Sequence, residues 1–331
     1  MKHVLAKSLC WTGLLAAPLL HALPCTTQSQ MQDAQRTSLS AAVLDFAALA
    51  QRGDTATLRA RLMPAVAASI DGISSAVLAD APILKASQPQ IHSLYLLDAT
   101  TLASGAEAIF DCTLNSNPLD VTFSLSQLTP GLYLVAFLRF EQGTVPQQML
   151  LILGQSGSTV QKDWQLGGLF LLPLTLAGHD GLWYWQQARS YANVRQYWSA
   201  QLSFAAASQL LIPVRIFNSP NLEKLEREVA AAPAGDFPSD APVEFHRGDK
   251  KWLLRRAFLS ESSSSQPDLT LEYAVDKIAA PAEARADCLA FAAALLSQHS
   301  EIRSIFHALQ IRAVTSGGEQ FAIHLEGSDI P

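Results

Sequence analysis

Apolar positions in the first part of the chain recur at steps of three and four residues, which is the spacing of one face of an α-helix. One such series runs from Leu39 to Leu49, and Gly53-Asp54 ends it. A second series runs from Leu58 to Val77, where Pro64 indicates two helices or one kinked helix. The pattern therefore predicts helices for the chain up to Pro89.

After Pro89 the pattern changes to short runs rich in apolar residues, separated by turn residues such as Gly, Asn, Pro and Ser. Runs of this kind are typical of β-strands. The predicted strands span residues 91–97, 106–114, 121–128, 132–140, 148–153 and 159–176. Helices followed by hairpin-linked strands predict an α+β domain with an antiparallel sheet over residues 36–178.

Residues 179–232 are rich in aromatic and small side chains, and they predict a helical hairpin followed by a cap helix at residues 221–231. Small residues at Ala188, Ala200 and Ala207 allow two antiparallel helices to approach closely. The aromatic side chains that would fill the space beside them are Tyr184, Tyr191, Tyr197 and Phe204.

The spacing Tyr184-x2-Gln187-Ala188-x2-Tyr191, followed by Ala200 and then Phe204, resembles one tetratricopeptide repeat over residues 181–213. The match has three departures and no second copy. Gln replaces an apolar residue, Ala replaces Gly, and Pro213 comes one residue late. An aromatic-rich helical pair with coincidental spacing is the alternative, and it predicts the same local structure.

The order of elements in residues 36–178 resembles the nuclear transport factor 2-like fold. The strand Asp163–Leu169 adds a Trp-x-hydrophobic motif that is often found near the end of that fold. The resemblance implies helices that close one end of a curved sheet. Because this fold hosts both enzymes and binding modules, the resemblance does not decide the function.

Residues 236–331 predict a small α+β domain that begins with a Pro-containing linker. A helix from Pro281 to about His299 separates two groups of strands. Gly248-Asp249 and Ser316–Gly318 supply hairpin turns, and Ser260–Pro267 predicts a flexible loop. The predicted strands span residues 243–247, 251–259, 269–275, 309–314 and 320–325.

Residues 1–24 have the pattern of a secretory signal peptide. Lys2 and Lys7 give a basic start, and the uncharged run Ser8–Leu20 is too short for a membrane span of about 20 residues. We expect cleavage after Ala22 and export to the periplasm or the extracellular space. Lipid anchoring at Cys25 and a buried first helix of a cytosolic protein are the alternatives.

The net charge of −6 becomes −8 when the two lysines of the signal peptide are removed. Without a basic patch, the chain is unlike a nucleic-acid-binding protein. No later apolar run is predicted to span a membrane, because the best one, residues 166–177, is short and contains Pro173. A Cys112–Cys288 bridge is compatible with export, and free core thiols are the alternative.

The sequence contains no nucleotide, metal or nucleophile motif, so we predict no cofactor. The best polar pair is His179-Asp180, in which Asp180 is predicted to cap a helix and the pair is a weaker candidate for acid–base chemistry. The favoured function is that of an exported non-enzymatic protein that binds a protein partner or an apolar ligand. The candidate binding residues are Trp183, Trp185, Trp198 and Arg189.

Two alternatives to this function follow from the same residues. The aromatic side chains of the hairpin can instead pack on neighbouring sheets. The chain can also be a small hydrolase or isomerase with a pocket in residues 90–178, for which His92, Asp98 and Asp111 are the candidate catalytic side chains.

Overall fold

A computed structural model describes residues 23–113, 120–143, 145–156, 163–212, 214–239, 241–262 and 264–331. Its helices are α1 Asp33–Arg52, α2 Thr55–Ala60, α3 Ile70–Leu84, α4 Gly181–Asn193, α5 Tyr197–Leu211, α6 Pro220–Ala231 and α7 Pro281–Gln298, with 3-10 turns at Pro64–Ser69, Ser300–Ser304 and Gly327–Asp329. Its strands are β1 Cys25–Thr27, β2 Gln90–Asp98, β3 Ala106–Thr113, β4 Asp120–Leu128, β5 Gly131–Phe140, β6 Gln147–Ser156, β7 Gln165–Pro173, β8 Phe217–Asn218, β9 Val243–Arg247, β10 Lys250–Ser260, β11 Asp268–Ala274, β12 Ala308–Val314 and β13 Gln320–Glu326. The fold is α+β, as the sequence predicts.

The first sheet has the strand order β1-β2-β5-β6-β7, and every neighbouring pair in it is antiparallel. Its central strands are apolar on both faces because both faces are covered. Leu134 and Ala136 share one buried cluster with α1 and α3, whereas Val135 on the opposite face shares another with β3 and β4. This double burial explains the unbroken apolar runs of β5 and β6.

The helical layer follows the predicted periodicity. Gly53 ends α1 with a left-handed backbone (φ 69°), and its N–H returns to the last turn of that helix. By length and composition, Pro64–Leu84 is the one helical segment of the described chain that could span a membrane, and 22% of its apolar window is buried. Its α3 part packs Ile73 and Val77 into the same core as α1.

The strands β3 and β4 do not belong to the first sheet. They form a second, three-stranded sheet with β8. This sheet covers the face of β2, β5 and β6 that lies opposite the helices, and it buries Phe110 and Phe123. The sequence predicts the strands but not their division between two sheets. The first residues of the predicted strand 159–176 lie outside the described residues.

The second half of the chain has one continuous core. The sheet order is β13-β12-β11-β10-β9, and β11 and β12 are parallel because α7 connects them. The helices α4, α5 and α6 share a buried cluster with this sheet and with α7. Within the hairpin, Tyr184, Ala188, Ala200, Phe204 and Ala207 are all buried. Pro213, the last position of the predicted repeat, lies outside the described residues.

A disulfide joins Cys25 of β1 to Cys112 of β3. The Cys112–Cys288 bridge that the sequence left open is therefore absent: Cys288 is a free, fully buried thiol in α7, in line with the alternative of a free core thiol. Because its sulfur is already bonded to Cys112, Cys25 cannot carry the alternative lipid anchor in this structure.

The predicted signal peptide falls almost entirely on residues 1–22, which lie outside the described part of the chain.

Candidate functional site

A tight turn before α4 places the first residue of the candidate site. Leu176 and His179 exchange backbone hydrogen bonds of 2.9 and 3.0 Å across this turn. The two central residues, Ala177 and Gly178, both have positive φ, at 48° and 79°, as in a type I′ turn. The Ala177 N–H also donates to Glu261 Oε2 at 3.2 Å, so the unusual backbone is held by a partner from the C-terminal half.

The side chain of Asp180 caps α4, as predicted, by accepting a 2.8 Å hydrogen bond from the Trp183 N–H. This cap brings His179 onto the indole of Trp183, and the two rings stack with centroids 3.8 Å apart and planes 8° apart. The Asp180 carboxylate is thus occupied by the helix end, and the acid–base interpretation of His179-Asp180 has no support in this geometry.

One wall of a cleft of about 260 Å³ is formed by α4. Trp183 stands at its start with 37% of its surface exposed, and Gln187 and Tyr191 follow along the same helix. Tyr184 lies deeper and donates its hydroxyl to the Leu176 carbonyl at 3.0 Å, and burial raises the pKa of that hydroxyl. The wall therefore combines aromatic surface with polar side chains.

The opposite wall comes from the loop before β11 and from the segment after α7, at Ser265–Pro267 and Ser304–Ile305. Gln266 Nε2 donates to the Ser304 carbonyl at 3.2 Å, and the His307 N–H donates to the Pro267 carbonyl at 2.8 Å. These two bonds fix the loop to the segment beside it. The cleft thus lies between the helical hairpin and the C-terminal sheet.

Among the described residues that line this cleft there is no Asp, Glu, Lys or Arg. Several of its polar groups also lack a partner: within the described chain, Trp183 Nε1, the Gln187 amide and the hydroxyls of Tyr191 and Ser265 make no hydrogen bond. The site can therefore hold a ligand by stacking and neutral hydrogen bonds. It has no nucleophile paired with a base.

Comparison with family models, curated proteins and solved structures finds no match to this chain. The tetratricopeptide-like and nuclear transport factor 2-like resemblances therefore stay predictions, and the function has to be argued from the geometry alone.

The structure separates the four predicted binding residues. Trp183 lines the cleft, but Trp185 is only 7% exposed and donates its Nε1–H to Glu228 Oε2 at 2.7 Å. Arg189 makes a bidentate pair with Glu228, at 2.6 and 2.8 Å, and its guanidinium lies 4.3 Å from the Trp185 ring centroid. Trp185 and Arg189 therefore join α4 to α6 and are not free to bind a partner.

Trp198, another predicted binding residue, is not accessible to a partner either, because only 2% of this residue is exposed. Its Nε1–H donates to Asp236 Oδ1 at 2.8 Å, and its ring stacks on His299, which contacts Asp236 Oδ2 at 2.8 Å. Trp198 thus anchors α5 to the linker and to the end of α7. Trp198 therefore follows the alternative prediction, in which the aromatic side chains of the hairpin pack on a neighbouring sheet; its ring contacts Phe245 of β9.

The three candidate catalytic residues of the first half do not meet. His92 and Asp111 are exposed and lie on different sheets. Asp98 lies at the far end of β2 from His92, where it accepts hydrogen bonds from the N–H and hydroxyl of Thr100 at 3.0 and 2.6 Å. The hydrolase or isomerase alternative therefore has no assembled site among these residues.

A second cavity, of about 290 Å³, lies beside α7. One of the two described carboxylates that line it, that of Asp287, accepts hydrogen bonds from Lys250 Nζ at 3.1 Å, Trp252 Nε1 at 3.1 Å and the Tyr273 hydroxyl at 2.9 Å. Burial raises the pKa of the neighbouring Cys288 thiol, which is fully enclosed. Because Asp287 is already bonded to Lys250, Trp252 and Tyr273, we prefer the aromatic cleft as the functional site.

No group of three or more His, Cys, Asp or Glu side chains in the described chain could hold a metal ion.

The residues of the cleft that sequence reasoning missed are those of its second wall. Ser265–Pro267 is ordinary loop composition, and its place opposite Trp183 follows from tertiary packing. No local spacing signals that contact, whereas the exposed aromatic turn at the start of α4 is visible in the sequence.

Proposed function

We propose that this chain is an exported, non-enzymatic binding protein whose ligand site is the aromatic cleft between α4 and Ser265–Pro267. The observation that carries the proposal is the wall itself. It presents the partly exposed indole of Trp183 beside polar groups that have no partner in the described chain, and it is free of carboxylates and ammonium groups. Partly open aromatic surface with a few convergent polar groups is the usual composition of a ligand site.

The proposal of export rests on two separate features. The basic and apolar pattern of residues 1–24 is that of a cleavable leader, and the Cys25–Cys112 disulfide is a bond that persists mainly in oxidising compartments. Intact-mass measurement of protein from the envelope or culture fluid should show loss of about the first 22 residues and one disulfide. Folded protein that keeps Met1, or a mass increased by a lipid, would contradict this maturation.

The binding proposal is tested by removing the exposed indole. We expect neutral ring compounds such as phenol and methyl glucoside to receive saturation-transfer NMR signal from the wild-type protein. Trp183→Ala should lose that signal, because the stacking surface is gone. The matched control is Leu182→Ala, which removes a neighbouring side chain that is 54% exposed and does not line the cleft.

The two variants give a clear decision. Signal that survives in Trp183→Ala, or that disappears equally in Leu182→Ala, would place binding elsewhere on the molecule. Circular dichroism of both variants should match the wild type, because neither side chain belongs to the buried core.

A further inference from the structure

The polar groups of the cleft include both donors and acceptors. Trp183 Nε1–H donates only, whereas the Gln187 amide and the hydroxyls of Tyr191 and Ser265 can both donate and accept. None of these four groups has a hydrogen-bond partner within the part of the chain that the structure describes, and burial raises the pKa of Tyr191, so its hydroxyl keeps its proton. A ligand that displaces water from these groups is therefore best matched by donors and acceptors side by side.

This requirement separates two ligands that both pack on aromatic rings. A proline-rich segment offers carbonyl acceptors, but proline has no N–H, so it cannot donate to the acceptors of Gln187 and of the two hydroxyls. A sugar ring carries hydroxyl groups around its edge, and each hydroxyl both donates and accepts. The donor and acceptor inventory thus favours the sugar.

The flat surface in the cleft points in the same direction. The indole of Trp183 is held in a fixed plane by His179, which stacks on one face, and by Tyr184, whose ring stands nearly perpendicular beside it, with ring centroids 3.8 and 4.9 Å away. A sugar ring has an apolar face of C–H groups that can pack flat on such a ring. A preset aromatic plane lowers the entropic cost of that contact.

Size and charge limit the ligand further. The volume of about 260 Å³ lies just below the range of pockets for drug-sized molecules, roughly 300–1,000 Å³, so the cleft has room for about one ring. The described lining has no Asp, Glu, Lys or Arg to pair with an ionised ligand. A neutral ring fits this environment without an uncompensated charge.

We propose that the cleft binds one neutral sugar ring, either as a free monosaccharide or as one unit of a longer glycan. This inference rests on the proposed binding function, because it names the ligand class of the same site.

The experiment measures dissociation constants by NMR titration with five probes: methyl glucoside, N-acetylglucosamine, a neutral disaccharide, glucuronate and triproline. We expect the neutral sugars to bind and glucuronate and triproline to bind at least tenfold more weakly. Equal affinity for a monosaccharide and the disaccharide would indicate a free sugar, and tighter binding of the disaccharide would indicate a glycan. Gln187→Ala and Tyr191→Phe should each weaken sugar binding about 3- to 10-fold, the effect of one lost hydrogen bond.

Gln186→Ala is the matched control, because Gln186 is an exposed neighbour that does not line the cleft. The affinity of this variant for the sugars should equal that of the wild type. Binding of triproline alone, lost in Trp183→Ala, would overturn the sugar proposal and leave the binding function standing. No binding of any of these probes or of phenol would overturn both. Sugar binding unchanged in both Gln187→Ala and Tyr191→Phe would also overturn the sugar proposal, because the contacts would lie elsewhere.

Discussion

Three buried tryptophans in the second half of the molecule satisfy their indole N–H in the same way. Trp185, Trp198 and Trp252 each donate to a carboxylate elsewhere in the chain, respectively Glu228 of α6, Asp236 of the linker after α6 and Asp287 of α7, at 2.7–3.1 Å. A buried indole N–H needs an acceptor, and a charged one gives a stronger bond. These residues therefore connect elements within the core, and Trp183, which has no such partner among the described residues, remains for binding.

Phe204 is the clearest test of packing at this scale. It is 3% exposed and lies in the helical hairpin core, so Phe204→Ala should lower the free energy of unfolding by about 3–5 kcal/mol. Chemical denaturation followed by circular dichroism measures the loss. Leu182→Ala in the same hairpin should change stability by less than about 0.5 kcal/mol, because its side chain is largely exposed. Similar losses in both variants would contradict the packing described here.

The sequence predicts these residue roles unevenly. The spacing of Tyr184, Ala188 and Phe204 indicates burial, and each of them is buried. The same spacing does not show that Trp185 and Trp198 are buried too, because their partners Glu228 and Asp236 come about 40 residues later and only tertiary packing brings them close.

At the scale of elements, the contact between α4 and α6 is electrostatic as well as apolar. The hydrogen bonds from Arg189, and less strongly from Trp185, hold the pKa of Glu228 below its ordinary value of about 4.5, although partial burial opposes them. A carboxyl whose pKa is lower in the folded state stabilises the fold when it is ionised. This contribution is complete above about pH 4.5 and is lost as the pH falls through the lowered pKa.

We therefore expect Glu228→Gln to be less stable than the wild type at pH 7, with a difference that shrinks as the pH falls below about 4.5. Urea denaturation of both proteins across the pH range measures this difference. Glu226→Gln, a change in the same helix at an exposed side chain with no ion pair in the described chain, is the control and should track the wild type. A difference independent of pH would mean that the charge of Glu228 is not involved.

At this scale, the sequence does not predict which strands pair with one another. The unbroken apolar runs of β5 and β6 signal burial on both faces, whereas β3 and β4 alternate and signal one buried face. That difference is visible in the sequence, and it separates the strands by layer. Which strands pair depends on contacts such as Phe123 with Phe217, which local patterns do not encode.

At the scale of the whole molecule, the Cys25–Cys112 disulfide ties the N-terminal strand to the second sheet across 87 residues. A loop of that length restricts the unfolded chain and stabilises the fold by about 2–5 kcal/mol. The double variant Cys25→Ser, Cys112→Ser should lose that amount in denaturant melts. Adding a reductant should destabilise the wild type by the same amount.

The reductant supplies an internal control for this prediction. The double variant keeps the buried thiol of Cys288 and has no disulfide left among the residues that the structure describes, so reductant should not change its stability. A variant that is still sensitive to reductant would mean that another redox-active bond exists in the protein. The sequence alone left open whether Cys112 was bridged, and it did not indicate Cys25 as the partner, because only tertiary packing brings these two residues together.

The short strand β8 links the two halves of the molecule. It belongs to the connection between α5 and α6, yet its Phe217 packs against Phe123 and Phe137 in the first half, with ring centroids 6.4 and 5.1 Å away. A gene divided at Gly178 would thus encode two fragments. The first would expose Phe123 and Phe137, and the second would carry Phe217, which packs against them. When the two fragments are co-expressed, they should associate into a complex with the native fold. Phe217→Ser should prevent this association.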